Sequence, residues 1–210
     1  AAFERTVICL SANTARNTPS SAKRVLLING SPHKDGPTAR LIGAFLEGVR
    51  PGAQVDRIDC FRLNPRACDG CGYCGERDGC SKRDLDEYYA LLEAADVLVL
   101  ALPIYNLSFP APMKALIDRS QRYWSARFLR GVRPPIPRGK QVALITVSGD
   151  SRGAADAIPE GGWMVERQLA PPLTILNGRL AACIHYCGSD AGNPIEPFLE
   201  QARAAAARLT

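Results

Sequence analysis

The stretch RVLLINGSPHKDGPTARLIGAFLEGV, Arg24 to Val49, decides the fold. Its opening, RVLLING, is a continuous apolar run that stops at Asn29-Gly30. An alternating run would mark a strand with one wet face. A continuous run marks a strand buried on both faces of a parallel sheet. The closing part, TARLIGAFLEGV, changes period. Leu41, Phe45 and Val49 recur every fourth residue, with Ile42 and Leu46 beside them, which is the stripe of an amphipathic helix. Strand, short loop and helix in immediate succession open a βαβ unit.

Working outward, four more segments share the continuous apolar character: QVDRIDC (54–60), DVLVLALP (96–103), KQVALITVSG (140–149) and RLAACIHYCG (179–188). Helical patterns lie between them in DLDEYYALLEAA (84–95) and APMKALIDRSQRYW (111–124), and IEPFLEQARAAAARL (195–209) closes the chain. Alternating strand and helix predicts right-handed crossovers and a doubly wound sheet. Five strands fit the flavodoxin-like arrangement: a three-layer α/β sandwich around a five-stranded parallel sheet, order 2-1-3-4-5. RPPIPRG (133–139) reads as a stiff connector, and 150–162, rich in Gly, Asp and Ala, as a mobile loop.

The size of 210 residues suits one such domain with decoration. Residues 1–22 read as a tail or edge segment, 23–210 as the domain, with a cysteine-rich insertion at 61–83. No apolar run approaches the roughly 18 residues that span a bilayer. The VICL of the first residues is too short for a secretory core, so a cytoplasmic location without membrane contact is expected. A net charge of +5 is too small to argue for nucleic acid.

In open α/β sheets ligands bind beyond the carboxyl ends of the strands. The first such loop, GSPHKDGPTAR, offers Gly30, Ser31, His33, Lys34, Gly36 and Thr38 just before a helix. Amide groups at a helix start, with hydroxyls and a cation, make an anion site. The loop is neither a Walker A motif nor GxGxxG. The second loop carries Pro103, Ile104, Tyr105, Asn106 and Ser108 on a turn framed by Pro103 and Pro110. The third, TVSGDSRG, offers Ser148 and Gly149 for close backbone approach. A phosphate at the first loop and a planar heterocycle between the other two describe flavin mononucleotide.

Four of the eight cysteines, Cys68, Cys71, Cys74 and Cys80, are spaced C-x2-C-x2-C-x5-C in ACDGCGYCGERDGCS (67–81). Such clustering favours metal or redox chemistry over disulfides in a reducing compartment. Cluster ligands, zinc ligands and free thiols all fit the spacing. Cys9, Cys60, Cys183 and Cys187 read as small buried hydrophobes, and His185 as a satisfied core histidine. The acid-free run Arg119, Arg122, Arg127, Arg130, Arg133, Arg138 and Lys140, interleaved with Tyr123, Trp124 and Phe128, reads first as a solvated helix face with a subunit contact. Attraction of NADPH phosphates is the second reading and single-stranded nucleic acid a distant third.

INGSPHKDGPT, the cysteine run and PIYNLSFPAPMKALIDR together resemble the NADPH-dependent FMN reductase family, especially its iron-sulfur flavoprotein branch. The resemblance covers about residues 24–210. Its most specific part is Pro103, Ile104, Tyr105 and Ser108 followed by Lys114, Ala115, Ile117, Asp118 and Arg119. It implies that Ser31, His33 and Thr38 hold the FMN phosphate, and that Pro103, Ile104, Tyr105, Asn106, Ser148 and Gly149 line the isoalloxazine. It also implies a [4Fe–4S] cluster on Cys68, Cys71, Cys74 and Cys80. His33 stands where an arginine is common and Pro37 where an asparagine is common, and Pro37 has no N–H to offer.

The implied activity is transfer of reducing equivalents from NAD(P)H, as co-substrate, to a quinone, a nitro or azo compound or a flavin. The flavin N5 carries the chemistry, and no side chain is assigned a catalytic role. Two alternatives remain: an iron-sulfur flavoprotein electron carrier between redox proteins, and a flavin-free zinc-binding regulatory domain. A homodimer or homotetramer is expected.

Overall fold

The computed structural model describes residues 22–149 and 161–210. The expected tail and most of the expected 150–162 loop lie outside the described residues. The five strands are β1 (Arg24–Asn29), β2 (Gln54–Asp59), β3 (Val97–Pro103), β4 (Lys140–Ser148) and β5 (Gly178–Cys187). All pair in parallel in the order β2-β1-β3-β4-β5. Strands β1, β3 and β4 are buried as their continuous apolar runs predict, whereas QVDRIDC does not give a buried strand, because β2 is an edge strand and stays largely exposed. The register aligns Asn29 with both Asp59 and Ala101, and Pro103 with Val147, so the strands end together along one edge.

Successive residues of β1 serve opposite faces. Leu26 and Ile28 join a core with Tyr88, Leu92, Met113 and Leu169, while Val25 and Leu27 join one with Leu41, Phe45, Ala202 and Leu209. The second core is closed by α1 (Pro37–Glu47) and the last helix, α8 (Glu196–Leu209). The two touch at Gly48, where a Cβ would stand 2.3 Å from the Arg203 carbonyl oxygen. The first core is closed by α4 (Asp86–Ala94), α5 (Ala111–Asp118), α6 (Gln121–Phe128) and α7 (Gly161–Ile175). Two single turns, α2 (Cys60–Leu63) and α3 (Tyr73–Glu76), lie in the cysteine-rich insertion. No described helix is long and apolar enough to cross a membrane.

Two elements differ from the sequence reading. The single helix expected over 111–124 is two, broken at Arg119-Ser120, where the Arg119 side chain turns inward and is only 1% exposed. Helix α7 was not expected at all. Its sequence holds Pro171 and Pro172, which remove two amide donors and disguise a helical stretch.

Candidate functional site

The first loop leaves β1 at Asn29. The Asn29 side chain donates to Asp59 Oδ1 at 2.6 Å and accepts from the Ser31 backbone N–H at 3.0 Å. Burial opposes ionisation of Asp59, but the bonds from Asn29 and Arg57 outweigh it and hold the carboxyl below its ordinary range. The His33 N–H donates to Ser31 Oγ at 3.2 Å, so the loop folds over a buried hydroxyl. Helix α1 then starts at Pro37 with Gly36 as an extended N-cap. It has no side-chain cap and no acid in its first turn. The Thr38 and Ala39 amides precede the first intrahelical bond, which Arg40 N–H makes to Gly36 O. Among the described residues nothing accepts from them. Thr38 is buried, whereas His33 and Lys34 stand exposed at the mouth. An uncapped helix start and a buried hydroxyl therefore lie in one short loop with the exposed side chains of His33, Lys34 and Asp35.

The second loop is a tight reversal. Tyr105 and Ser108 exchange backbone hydrogen bonds at 3.1 and 2.9 Å, and the residues between them, Asn106 and Leu107, have φ of 47° and 62°. Both central residues at positive φ is the signature of a type I′ turn, which a leucine adopts only against steric resistance. The turn is held from α7. Gln168 Nε2 donates to Leu107 O at 3.0 Å, and Ser108 Oγ donates to Gln168 Oε1 at 2.7 Å. Ile104 N–H bonds Val147 O at 2.8 Å and fixes the turn's root to β4. Tyr105 is 42% exposed at the tip. Gln168 went unnoticed in the sequence because it lies in the disguised helix.

Ser148 and Gly149 end β4 beside this turn. Ser148 O and Gly149 O accept from Ser189 and Asp190 N–H at 3.1 and 3.3 Å. A Cβ at residue 149 would stand 2.3 Å from Asp190 Oδ2, so a side chain there would displace the exposed Asp190 carboxylate. The expected residues of the three loops thus lie along one sheet edge. The rest of the third loop lies outside the described residues.

The cysteine run forms a separate pocket. Cys68, Cys71, Cys74 and Cys80 are free thiols, and all four line one cavity of about 180 Å³ together with Arg119 and Lys82. Gly70 and Gly72, at φ of 68° and 78°, turn the backbone on either side of Cys71. Cys71 Sγ lies 3.2 Å from Ser81 Oγ, and this contact, with the Tyr73 N–H, holds the thiol below its ordinary range. Cys74 Sγ lies 3.4 Å from Ser125 Oγ on α6.

Arg119 ties the neck of this loop. Its Nη1 donates to Arg66 O at 3.0 Å and to both Asp84 oxygens at 2.9 and 3.1 Å; its Nη2 donates to Lys82 O at 2.9 Å. Residues on both sides of the run are thereby gathered on one buried guanidinium. Burial works against the Asp84 charge, but the Arg66 N–H and Arg119 outweigh it and hold the carboxyl low.

A tetrahedral zinc ion with Zn–S bonds of about 2.3 Å would bring sulfurs to within about 4 Å of one another. No three of these four sulfurs come within 4.8 Å of one another. Four thiols spread around one cavity suit a larger thiolate-bound group, of the kind an iron-sulfur cluster presents.

The basic stretch is mostly not a solvated face. Arg119 is buried, Arg122 reaches Glu93 at 3.6 Å and stacks 4.4 Å above the Tyr89 ring, Arg130 pairs with Asp78 and Arg138 with Asp96. Lys140 is buried, donating to Ala95 O and Arg138 O. The partners come from elsewhere in the chain, which is why the run looked unpaired in sequence.

Comparison with known proteins bears on the family and the fold. The model of the NADPH-dependent FMN reductase family matches residues 23–159. The chain is 38% identical over 95 residues to the iron-sulfur flavoprotein of Methanosarcina thermophila, covering 44% of this chain and 50% of that protein. It is 35% identical over 106 residues to an iron-sulfur flavoprotein of Archaeoglobus fulgidus, covering 50% and 48%. The chain therefore spans about half the length of the curated relatives it matches. Among solved structures, the NAD(P)H:quinone oxidoreductase of Methanothermobacter marburgensis superposes with a TM-score of 0.70 at 17% identity, over 90% of this chain and 96% of that one. An azoreductase of Bacillus anthracis superposes with a TM-score of 0.65 at 20% identity, over 89% and 99%. These structural likenesses share the flavodoxin-like fold. With a family model covering well over half its length, the chain belongs to the NADPH-dependent FMN reductase family.

Proposed function

We propose that the protein is an FMN-dependent oxidoreductase that passes reducing equivalents from NAD(P)H to a quinone, a nitro or azo compound or a flavin. The observation that carries this reading is the sheet edge, where the uncapped start of α1 follows β1 and the tight 105–108 turn follows the neighbouring β3. When bound, FMN supplies the hydride and electron chemistry. The chain's part is to hold and orient it. The Thr38 amide, the Ser31 hydroxyl and the Thr38 side chain receive the phosphate, with Gly36 giving room and His33 and Lys34 adding positive charge. Pro37 contributes no amide, so the cradle rests on fewer donors. Pro103, Ile104, Tyr105, Asn106, Ser108, Ser148 and Gly149 line the ring. The turn's two positive-φ residues and the Gln168 clasp keep that wall from relaxing when ligands exchange.

A second reading, an electron carrier, is favoured by the four thiols around one cavity. Cys68, Cys71, Cys74 and Cys80 would hold a [4Fe–4S] cluster, and the partner would be a redox protein in place of a small molecule. The named relatives' iron-sulfur content supports it. The exposed apolar side chains of Trp124, Phe128, Leu129 and Val132 support assembly with a second copy.

Anaerobically purified protein, loaded with FMN, is the test. Flavin absorbance with steady NAD(P)H oxidation in the presence of menadione is the expected result. No retained flavin would overturn both readings. Iron and acid-labile sulfide, together with reduction by ferredoxin but not by NAD(P)H, would favour the carrier.

A further inference from the structure

A second cluster of donors lies on the outer strand, away from the cysteine loop. Residues Cys183, His185 and Cys187 alternate along β5 on the face toward α7, and Glu166 of α7 reaches down to them. His185 Nε2 and Glu166 Oε1 are 2.5 Å apart, and His185 Nδ1 lies 2.7 Å from Thr146 Oγ1 on β4. The Cys183 thiol hydrogen-bonds the same Glu166 carboxylate. One ligand atom each from Glu166, Cys183 and His185 falls within 4.8 Å of the others, the only such trio among the described residues.

We propose that Glu166, Cys183 and His185 bind a divalent transition-metal ion, zinc in preference. A thiolate, an imidazole and a carboxylate are the three donor types that zinc takes, and three protein ligands with a fourth position open to water is an established arrangement. The ligands sit on rigid elements. Two are on one strand at i and i+2, whose side chains share a face, and the third comes from the helix packed on that face. The outer support is also present. A carboxylate only accepts, so His185 carries its proton at Nε2 when no metal is bound. With Nε2 on the metal, the proton sits at Nδ1 and donates to Thr146 Oγ1, whose hydroxyl serves as donor or acceptor. A ligating histidine whose second nitrogen is held in this way is the usual supporting arrangement. Access exists as well, because the His185 and Glu166 side chains are 27% and 29% exposed. Gly162 completes the fit: a Cβ there would stand 2.4 Å from the His185 ring. Binding releases the Cys183 thiol proton and displaces the Glu166–His185 hydrogen bond.

Cobalt(II) is the probe, because thiolate ligation gives it a charge-transfer band in the near ultraviolet. The full chain with Cys68, Cys71, Cys74 and Cys80 all changed to Ser is titrated with Co²⁺. The expected result is one equivalent bound, a thiolate band, and displacement by Zn²⁺. Cys183→Ser on that background abolishes the band, Cys187→Ser leaves it, and Thr146→Val weakens binding by about 10- to 100-fold while keeping the band. In the chain with its loop cysteines intact, the same Cys183→Ser change lowers the bound Co²⁺ by one equivalent, a reading that does not need the quadruple variant to fold. No Co²⁺ binding, a band that survives Cys183→Ser, or no lost equivalent in the intact chain would each overturn the assignment.

Discussion

Arg119 and Asp84 form an ion pair at 2.9 Å in which the cation is 1% exposed and the anion 27%. The pair closes the base of the cysteine loop, because the same guanidinium also holds the carbonyls of Arg66 and Lys82. Removing one partner of such a pair strands a buried charge, at a cost of about 3–5 kcal/mol. Asp84→Ala is expected to destabilise the protein by about 3 kcal/mol, near the lower end because two carbonyls still accept from Arg119. Urea unfolding measures it, and faster proteolysis between residues 66 and 82 locates it. The Asp84 carboxyl is held below its ordinary value, so the pair's contribution is complete above about pH 4 and is lost as pH falls through the lowered folded-state value.

Gln168 holds the 105–108 turn by two hydrogen bonds. Gln168→Ala should cost about 1–2 kcal/mol of stability and raise the dissociation constant for FMN about tenfold if the turn loosens by about 1.4 kcal/mol. Gln168→Glu keeps the acceptor for Ser108 and loses the donor to Leu107, so an intermediate effect is expected. Quenching of FMN fluorescence on titration reads both.

An acid in the first turn of α1 has opposite effects on the two forms of the protein. Ala39→Glu complements the helix dipole and should stabilise the FMN-free chain by about 0.5 kcal/mol. The same charge repels a phosphate at that position and should weaken FMN binding. Thermal melting without FMN and affinity with it would move in contrary senses; a parallel change would count against the phosphate cradle.

Lys140 is pushed down to about 8 by burial first and by Arg138 second. An unfolded lysine keeps its proton to about pH 10.4. Below pH 8 both states are protonated and the folded state bears the full cost of the buried charge. Between these two values the unfolded state binds more protons, so this residue adds stability as pH rises, on the order of 3 kcal/mol in total. Lys140→Met removes that rise. The difference in unfolding free energy between variant and parent, measured across pH 8 to 10, should shrink steadily.

The central fold was readable because buried parallel strands leave an unbroken apolar signature, and β1, β3 and β4 carry it plainly. The three edge loops followed from topology once the strands were placed. What escaped is long-range or disguised. Arg119 was visible as one basic residue among several, but nothing local pairs it with Asp84, which lies 35 positions away. Gln168 and Glu166 sit in a helix interrupted by two prolines, so neither their periodicity nor their orientation could be read. Cys183, His185 and Cys187 do share a face because β5 runs to Cys187, whereas the partners they meet come from other elements. Cys60 is buried as a small hydrophobe, as expected. Cys183 and Cys187, expected to be the same, are only half-buried, and Cys183 bonds Glu166. Cys9 lies outside the described residues.

Helix α5 begins just after the 105–108 turn and ends at Asp118, with Arg119 as its C-cap. Its eight residues rise about 12 Å. The 105–108 turn and the cysteine neck are therefore the two ends of one short rod, and their separation is written into a count of peptide units. Inserting or deleting a single residue there would rotate one end against the other by about 100°, misaligning both compartments at once. Natural variation in this protein should therefore accept changed side chains along the rod while resisting any change in its length.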